Sequence, residues 1–273
     1  MSIRELFKLS LVTCLACVTS GFSSAQDSEE DLAKQLSNPV SDLISVPIQF
    51  NYDGNIGPDD EGSRVTANVQ PVIPITLTED WTLISRTIVP IIAQDSIAPA
   101  SGSQIGIGDI VQSMFFSPDP VTLGQSTAVI WGAGPVFLFG TGTDDLLTSG
   151  KWGAGPTAVG LVQTGPWTYG ALANHIWSFA GEDQRADVNA SFLQPFLAYA
   201  TPGGWSFALN SEATYNWDTE DLSLPINAVA NKVTRVGDQT IQLGIGARYW
   251  ADSPDSGPEG WGARLNLTFL FPR

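Results

Sequence analysis

The C-terminal run from Trp261 to Phe271 places Trp261, Ala263, Leu265, Leu267, Phe269 and Phe271 on one parity and Gly262, Arg264, Asn266 and Thr268 on the other, with Leu270 as the exception. A period of two marks a β-strand with one apolar and one polar face. The same alternation separates Trp205, Phe207, Leu209, Ala213, Tyr215 and Trp217 from Ser206, Asn210, Glu212, Thr214 and Asn216. It recurs with Ile241, Leu243, Ile245, Ala247 and Tyr249 against Gln242, Gly244, Gly246 and Arg248, and with Val65, Ala67, Val69, Ile73 and Ile75 against Thr66, Asn68 and Gln70.

Followed along the chain, the period predicts twelve strands, at 43–52, 65–75, 81–92, 106–117, 126–139, 152–163, 167–178, 188–200, 205–217, 222–233, 239–250 and 260–271. About ten residues is the length at which a tilted strand crosses a bilayer. Brief connections at 76–80, 164–166, 201–204 and 234–238 alternate with longer ones at 53–64, 93–105, 140–151, 179–187 and 251–259. Two fit less well: 118–125 is long for a turn and 218–221 short for a loop. This spacing predicts an all-β fold, a transmembrane antiparallel up-and-down β-barrel with short periplasmic turns and longer extracellular loops.

The polar faces hold mostly Asn, Gln, Ser, Thr and Gly, where the solvated face of a soluble sandwich would be rich in Lys and Glu. A confined polar lumen accounts for that composition. Eight of the nine tryptophans, Trp81, Trp152, Trp167, Trp177, Trp205, Trp217, Trp250 and Trp261, stand at strand ends and predict two aromatic girdles. Indole suits the headgroup layer because its ring is apolar and its N–H needs a partner. The alternative, a soluble periplasmic β-sandwich, would bury these rings in a core. Pro47, Pro71, Pro74, Pro90, Pro135, Pro156, Pro195 and Pro225 fall inside predicted strands, although a closed barrel has no edge on which a missing N–H is harmless. Bulges or kinks are therefore expected, with Gly132-Ala-Gly-Pro135 and Gly153-Ala-Gly-Pro156 as bulge sites.

Arg4 and Lys8 precede an apolar run ending at Val18, and Ser23-Ser24-Ala25 follows, which is the layout of a secretory signal cleaved after Ala25. Lipoprotein processing at Cys17 is the alternative, with Cys14 in place of the usual aliphatic residue. The expected organisation is a signal peptide at 1–25, a periplasmic segment at 26–42 with a short helix at 30–36, and a barrel at 43–273. Both cysteines lie in the leader, which suits passage through an oxidising compartment. Losing Arg4, Glu5 and Lys8 with the leader takes the net charge from -16 to -17, which argues against a nucleic-acid partner. No later stretch supplies the run of about 18 apolar residues that a membrane helix requires.

Inward-pointing candidates for a lumen or constriction are Gln49, Asn51, Asn68, Gln70, Arg86, Asp109, Asn210, Glu212, Asn227, Asn231, Gln242, Arg248, Arg264 and Asn266. Each buried arginine needs a partner, so Arg86, Arg248 and Arg264 are expected to form a network with Asp109 and Glu212. Such a network either braces a narrow barrel or forms a constriction that selects what passes. A barrel esterase would need a nucleophile and a base on one face, but the single histidine, His175, stands three positions from Ser178 and so on the opposite face. The chain therefore reads as a non-enzyme with no cofactor, and His175 as a residue at the membrane boundary beside Trp177. The calcium-loop pattern fails at Ile56 and Gly62, and Gly106-x-Gly108 lacks the third glycine of a dinucleotide loop. Acidic residues collect in the long loops at 59–61, 144–145, 182–187 and 252–259, where solvation or divalent bridges to lipopolysaccharide would use them.

Asn38-Pro39, Arg86 with Pro90, Gly106-Ile-Gly-Asp109, Lys151-Trp-Gly-Ala-Gly-Pro156, Gly170 to Ser178 and Gln194-Pro195 resemble the family labelled MetA-pathway of phenol degradation. The resemblance spans nearly all of the chain after the leader. It implies an outer-membrane barrel transporter and, through a genomic-context label, a phenolic solute. It supplies no catalytic residue. The expectation is a monomeric outer-membrane channel for passive uptake of small solutes, apolar or aromatic ones included, whose partners are lipid and lipopolysaccharide. A barrel with a closed lumen and a structural or surface-interaction role is the alternative.

Overall fold

A computed structural model describes residues 29–271; the predicted leader lies outside them. Sixteen strand segments follow in order: β1 (Ile44–Ile56), β2 (Gly62–Val69), β3 (Val72–Thr76), β4 (Trp81–Asp95), β5 (Ser103–Ile107), β6 (Ile110–Pro118), β7 (Val121–Leu123), β8 (Thr127–Phe139), β9 (Lys151–Thr164), β10 (Trp167–Gly181), β11 (Asn189–Ala200), β12 (Trp205–Ser211), β13 (Ala213–Asn216), β14 (Leu222–Val236), β15 (Gln239–Asp252) and β16 (Gly260–Phe271). Segments β2 and β3 form one wall, as do β5 to β7 and β12 with β13, so the sixteen make twelve antiparallel walls. Each wall pairs with its sequence neighbours, and β1 pairs with β16 from Ile44↔Phe271 to Tyr52↔Ala263. That last ladder closes the barrel, and no wall is left as an unpaired edge.

The strands outrun their predicted bounds, mostly toward the long loops, because the ladders continue beyond the apolar band. The awkward connection at 118–125 is resolved by β7, a short continuation of its wall that pairs with the start of β8 around a tight turn. Prolines act in three ways. Pro71 occupies the break between β2 and β3. Pro225 coincides with a register shift against β15. Pro135 and Pro156 face each other in a ladder whose register runs straight through, and the expected bulge at Gly132-Ala-Gly-Pro135 does not form, whereas the β9–β10 ladder does shift register at the edge of the second cluster, where Ser178 and Ala180 face Gly153 and Trp152. Beside the prolines the neighbouring ladders also skip pairs, and strands crowd together: a Cβ on Gly155 would fall 1.7 Å from the His175 carbonyl oxygen.

The outer surface is apolar and ringed by aromatic pairs: Trp167 with Tyr199, Phe139 with Trp152 and Tyr249 with Trp261 from adjacent strands, Tyr215 with Trp217 along one strand, and Trp81 with Trp131 across the intervening wall, at centroid distances from 4.7 to 6.1 Å. Seven of the predicted girdle tryptophans are exposed on this surface. Trp250 is the correction. It shares the parity of inward Arg248, and its Nε1 donates to Asp53 Oδ1 at 2.8 Å inside the barrel.

The interior is not uniformly polar, contrary to expectation. Val72, Ile84, Phe115, Ile130, Val159, Leu161 and Leu172 form a buried apolar cluster, with Phe192 and Phe196 against it. The opposite side holds the polar set. Residues 29–36 are helical and enter the barrel at its short-turn end, where Ala33 is fully buried against Ala200 and Val233. The helix is tied there by Glu29 to Lys232 Nζ at 3.1 Å and by Gln163 Nε2 donating to the Lys34 carbonyl. The chain then climbs the lumen until Val40 joins the apolar cluster, and returns to Ile44 at the start of β1. One side of the lumen thus acts as a core for the barrel's own N-terminal segment, each side chain contributing about 1.5–3 kcal/mol by burial.

Candidate functional site

The polar half of the lumen is built by β1, β2, β4, β13 to β16 and the break at Glu212. Period-two geometry sends Gln49, Asn51 and Asp53 of β1 inward with Arg264 and Asn266 of β16, and Gln242 and Arg248 of β15 join them. Glu212 lies between β12 and β13 in the register of both, where its backbone N–H reaches the Pro225 carbonyl and Pro225, having no N–H, returns no bond. Parity with Asn210 turns the carboxylate inward, toward the arginines.

Arg264 and Glu212 form a bidentate pair, Nη1 to Oε1 at 2.9 Å and Nη2 to Oε2 at 2.8 Å. Arg264 Nε donates to Asn51 Oδ1 at 2.7 Å. Arg248 bridges the two carboxylates, with Nη1 3.2 Å from Glu212 Oε2 and Nε 3.0 Å from Asp53 Oδ1, and its guanidinium stacks over Trp250 at 4.6 Å. Planar guanidiniums suit this role because each offers several donors in a fixed fork. Arg86 stands apart: its Nη2 donates to Gln70 Oε1 at 2.7 Å.

Below this network, toward the N-terminal segment, lie paired amides. Asn227 Nδ2 donates to Asn210 Oδ1 at 2.8 Å, and Asn266 Nδ2 to Asn231 Oδ1 at 3.2 Å. Gly244 faces Asn231 across the ladder because a Cβ there would come within 2.0 Å of the Asn231 amide oxygen. A cavity of about 240 Å³ opens between these amides, Gln242, Arg86 and the segment from Leu36 to Ser41.

Of the predicted lumenal residues, the fold brings Arg248, Arg264 and Glu212 into one network and sets Arg86, Asn210, Gln242 and Asn266 along the cavity, with Asn227 buried beside Asn210. Asp109 is not among them. Its carboxylate pins the 140–150 loop, accepting from Gly142 N, Thr148 Oγ1, Ser149 N and Ser149 Oγ at 2.6 to 3.0 Å, and among the described residues it forms no ion pair. Asp53 takes the place expected of it. Asp53 continues the inward parity of Gln49 and Asn51, a signal hidden by ending the first strand at residue 52.

Two polar groupings lie away from the lumen. On the outer face His175 Nδ1 is 2.7 Å from Ser191 Oγ, which also accepts from Trp217 Nε1, while the His175 ring lies 3.9 Å from that of Trp177. Ser178, on the other parity, binds Asp187 at the base of the 182–188 loop. Asp187 also meets Lys151 Nζ at 3.0 Å. Hydrogen bonds from Lys151 and Ser178, with the Lys151 charge, hold the Asp187 carboxyl below the usual carboxylate range despite some desolvation.

No family model and no curated relative matches the chain. The resemblance to the phenol-degradation family therefore rests on the segments quoted above. Among solved structures, the COG4313 outer membrane channel from Pseudomonas putida F1 superposes with a TM-score of 0.65 at 16% identity, over 84% of this chain and 95% of that one. The NanC porin gives 0.48 at 8% identity, over 84% and 100% of the two chains. Outer membrane phospholipase A from Escherichia coli gives 0.47 at 10% identity, over 84% and 98%. The fold of this chain is that of an outer-membrane β-barrel.

Proposed function

We propose that the protein is a monomeric outer-membrane channel through which small solutes diffuse passively, with the long loops outside and the N-terminal segment at the periplasmic end. The observation that carries this reading is the lumen itself: one side is lined by amides and guanidiniums around a cavity of about 240 Å³, where a purely structural core would be dry and apolar. The Arg264–Glu212–Arg248–Asp53 network is the selective element of this channel, its guanidiniums and carboxylates deciding which groups pass. The Pseudomonas putida neighbour is described as an outer membrane channel, which supports the reading. Apolar or aromatic solutes fit the mixed lining, and the acidic loops would face lipopolysaccharide and its divalent ions.

One observation favours the second reading, a closed barrel with a structural role: residues 29–43 occupy the short-turn end of the lumen, with Ala33 and Val40 buried. Solute flux into liposomes carrying the purified protein separates the two. Uptake of small neutral solutes supports the channel; impermeable liposomes that contain folded, heat-modifiable barrel favour the closed form.

A further inference from the structure

The whole chain carries a net charge of -16, yet the polar half of its lumen is positive. Among the described residues, the guanidiniums of Arg64, Arg86, Arg248 and Arg264 share the lumen with the carboxylates of Asp53 and Glu212. Arg248 and Arg264 use both of these. Arg64, the cross-strand neighbour of Asp53, bonds Gln94 Oε1 at 2.8 Å, and Arg86 bonds Gln70 Oε1. Among the described residues Arg86 enters no ion pair. A guanidinium taken out of bulk water without a carboxylate is costly, and it is retained where a ligand completes it.

The amides beside Arg86 point the same way. One end of the Gln49 amide lies 2.7 to 3.1 Å from the Arg264 nitrogens and the other 3.2 Å from Gln70 Nε2, so that in either orientation a donor meets a donor. Two amides placed between two cations cannot offer oxygen to both and still bond to each other. Around Arg86 the two amide oxygens must serve two guanidiniums and each other, so donors outnumber acceptors there, while the unpaired acceptors of the lumen, Asn227 Oδ1 and Asn266 Oδ1, lie on β14 and β16. The same cavity also has apolar lining: Val72 is the cross-strand neighbour of Arg86 on the same wall, and Phe196 and Ala198 of β11 line it too.

Resting on the channel reading, we infer that this cavity binds a small organic anion with an apolar body, its carboxylate held by Arg86 and the Gln49 and Gln70 amides and its body against Val72 and Phe196. The exposed loop acids slow the approach of such a ligand without reaching its site, since fields decay over about 10 Å at 0.1 M salt.

Isothermal titration of the purified full-length protein with benzoate, benzyl alcohol and benzylammonium, which share one body and differ in charge, tests this. Benzoate should bind at least about tenfold more tightly than the other two, as a charge-assisted pair predicts. Arg86→Gln should erase that preference, and Arg86→Lys should keep part of it, each variant being checked for heat-modifiable migration. Equal affinity for the three probes, preference for benzylammonium, no benzoate binding, or a preference that survives Arg86→Gln would overturn the inference. Liposome flux on the same preparations keeps the two readings apart: benzoate binding without flux ends the channel and leaves the site, and flux without benzoate preference does the reverse.

Discussion

Arg264 and Glu212 come from opposite sides of a sequence gap of 52 residues and meet through two parallel contacts, at 2.9 and 2.8 Å, inside the barrel. Arg248 closes on the same carboxylate, so Glu212 neutralises the centre of the network. Replacing it by glutamine leaves two arginines facing one another with only Asp53 between them. Breaking a buried pair from one side is destabilising by about 3–5 kcal/mol. Glu212→Gln should therefore lower the urea midpoint of the refolded barrel clearly, and a midpoint unchanged from wild type would show that the network does not brace the wall.

Trp250 should behave unlike the other predicted girdle tryptophans. Its Nε1 donates to Asp53 Oδ1, whereas Trp205 lies on the outer surface. A hydrogen bond to a charged group is worth about 1.5–3 kcal/mol. Trp250→Phe is expected to destabilise by that order and Trp205→Phe by far less, in the same denaturation experiment; equal losses would contradict the inward placement.

These two tryptophans show what the sequence makes legible. Alternation alone assigns faces, and it correctly marks twelve walls, their short and long connections and the final strand. The parity of Trp250 was readable too, since Arg248 lies two residues before it on the polar face, but position at a strand end outweighed parity. The apolar half of the lumen was hidden for a different reason. Runs such as Val159-Gly-Leu161-Val162 are apolar on both faces, so no period shows which residues point inward. What they cover, the segment ending at Val40, is a long-range contact with no local signature. The role of Asp109 was likewise set by a loop, through partners at 142 and 148–149 that spacing cannot reveal.

Gly244 gives a steric test. A Cβ there would sit 2.0 Å from the Asn231 amide oxygen, so Gly244→Ala should push Asn231 off Asn266 and cost about 1–3 kcal/mol. Gly160, whose Cβ would meet nothing within 4 Å, should accept alanine with little change. Parallel unfolding curves of the two variants check the contrast; a Gly244→Ala barrel as stable as Gly160→Ala would refute it.

The 182–188 loop should loosen in acid. Asp187 has its carboxyl pKa depressed by Lys151 and Ser178, so the anchoring is fully present above the ordinary carboxylate range and is lost as pH falls through the depressed value. Protection of the Val188 N–H, which donates to Ser178 Oγ, measured against its intrinsic exchange rate at each pH, should fall as pH drops below the ordinary carboxylate range, and Asp187→Asn should show that loss of protection already at neutral pH. Exchange insensitive to both changes would mean that the loop is held by other contacts.

The most direct test of the channel is conductance in planar bilayers, compared between the full-length protein and a variant lacking residues 29–40. The account predicts discrete steps for the full-length protein and larger ones when the segment that occupies the short-turn end is removed. A folded barrel that stays silent in both forms would contradict it.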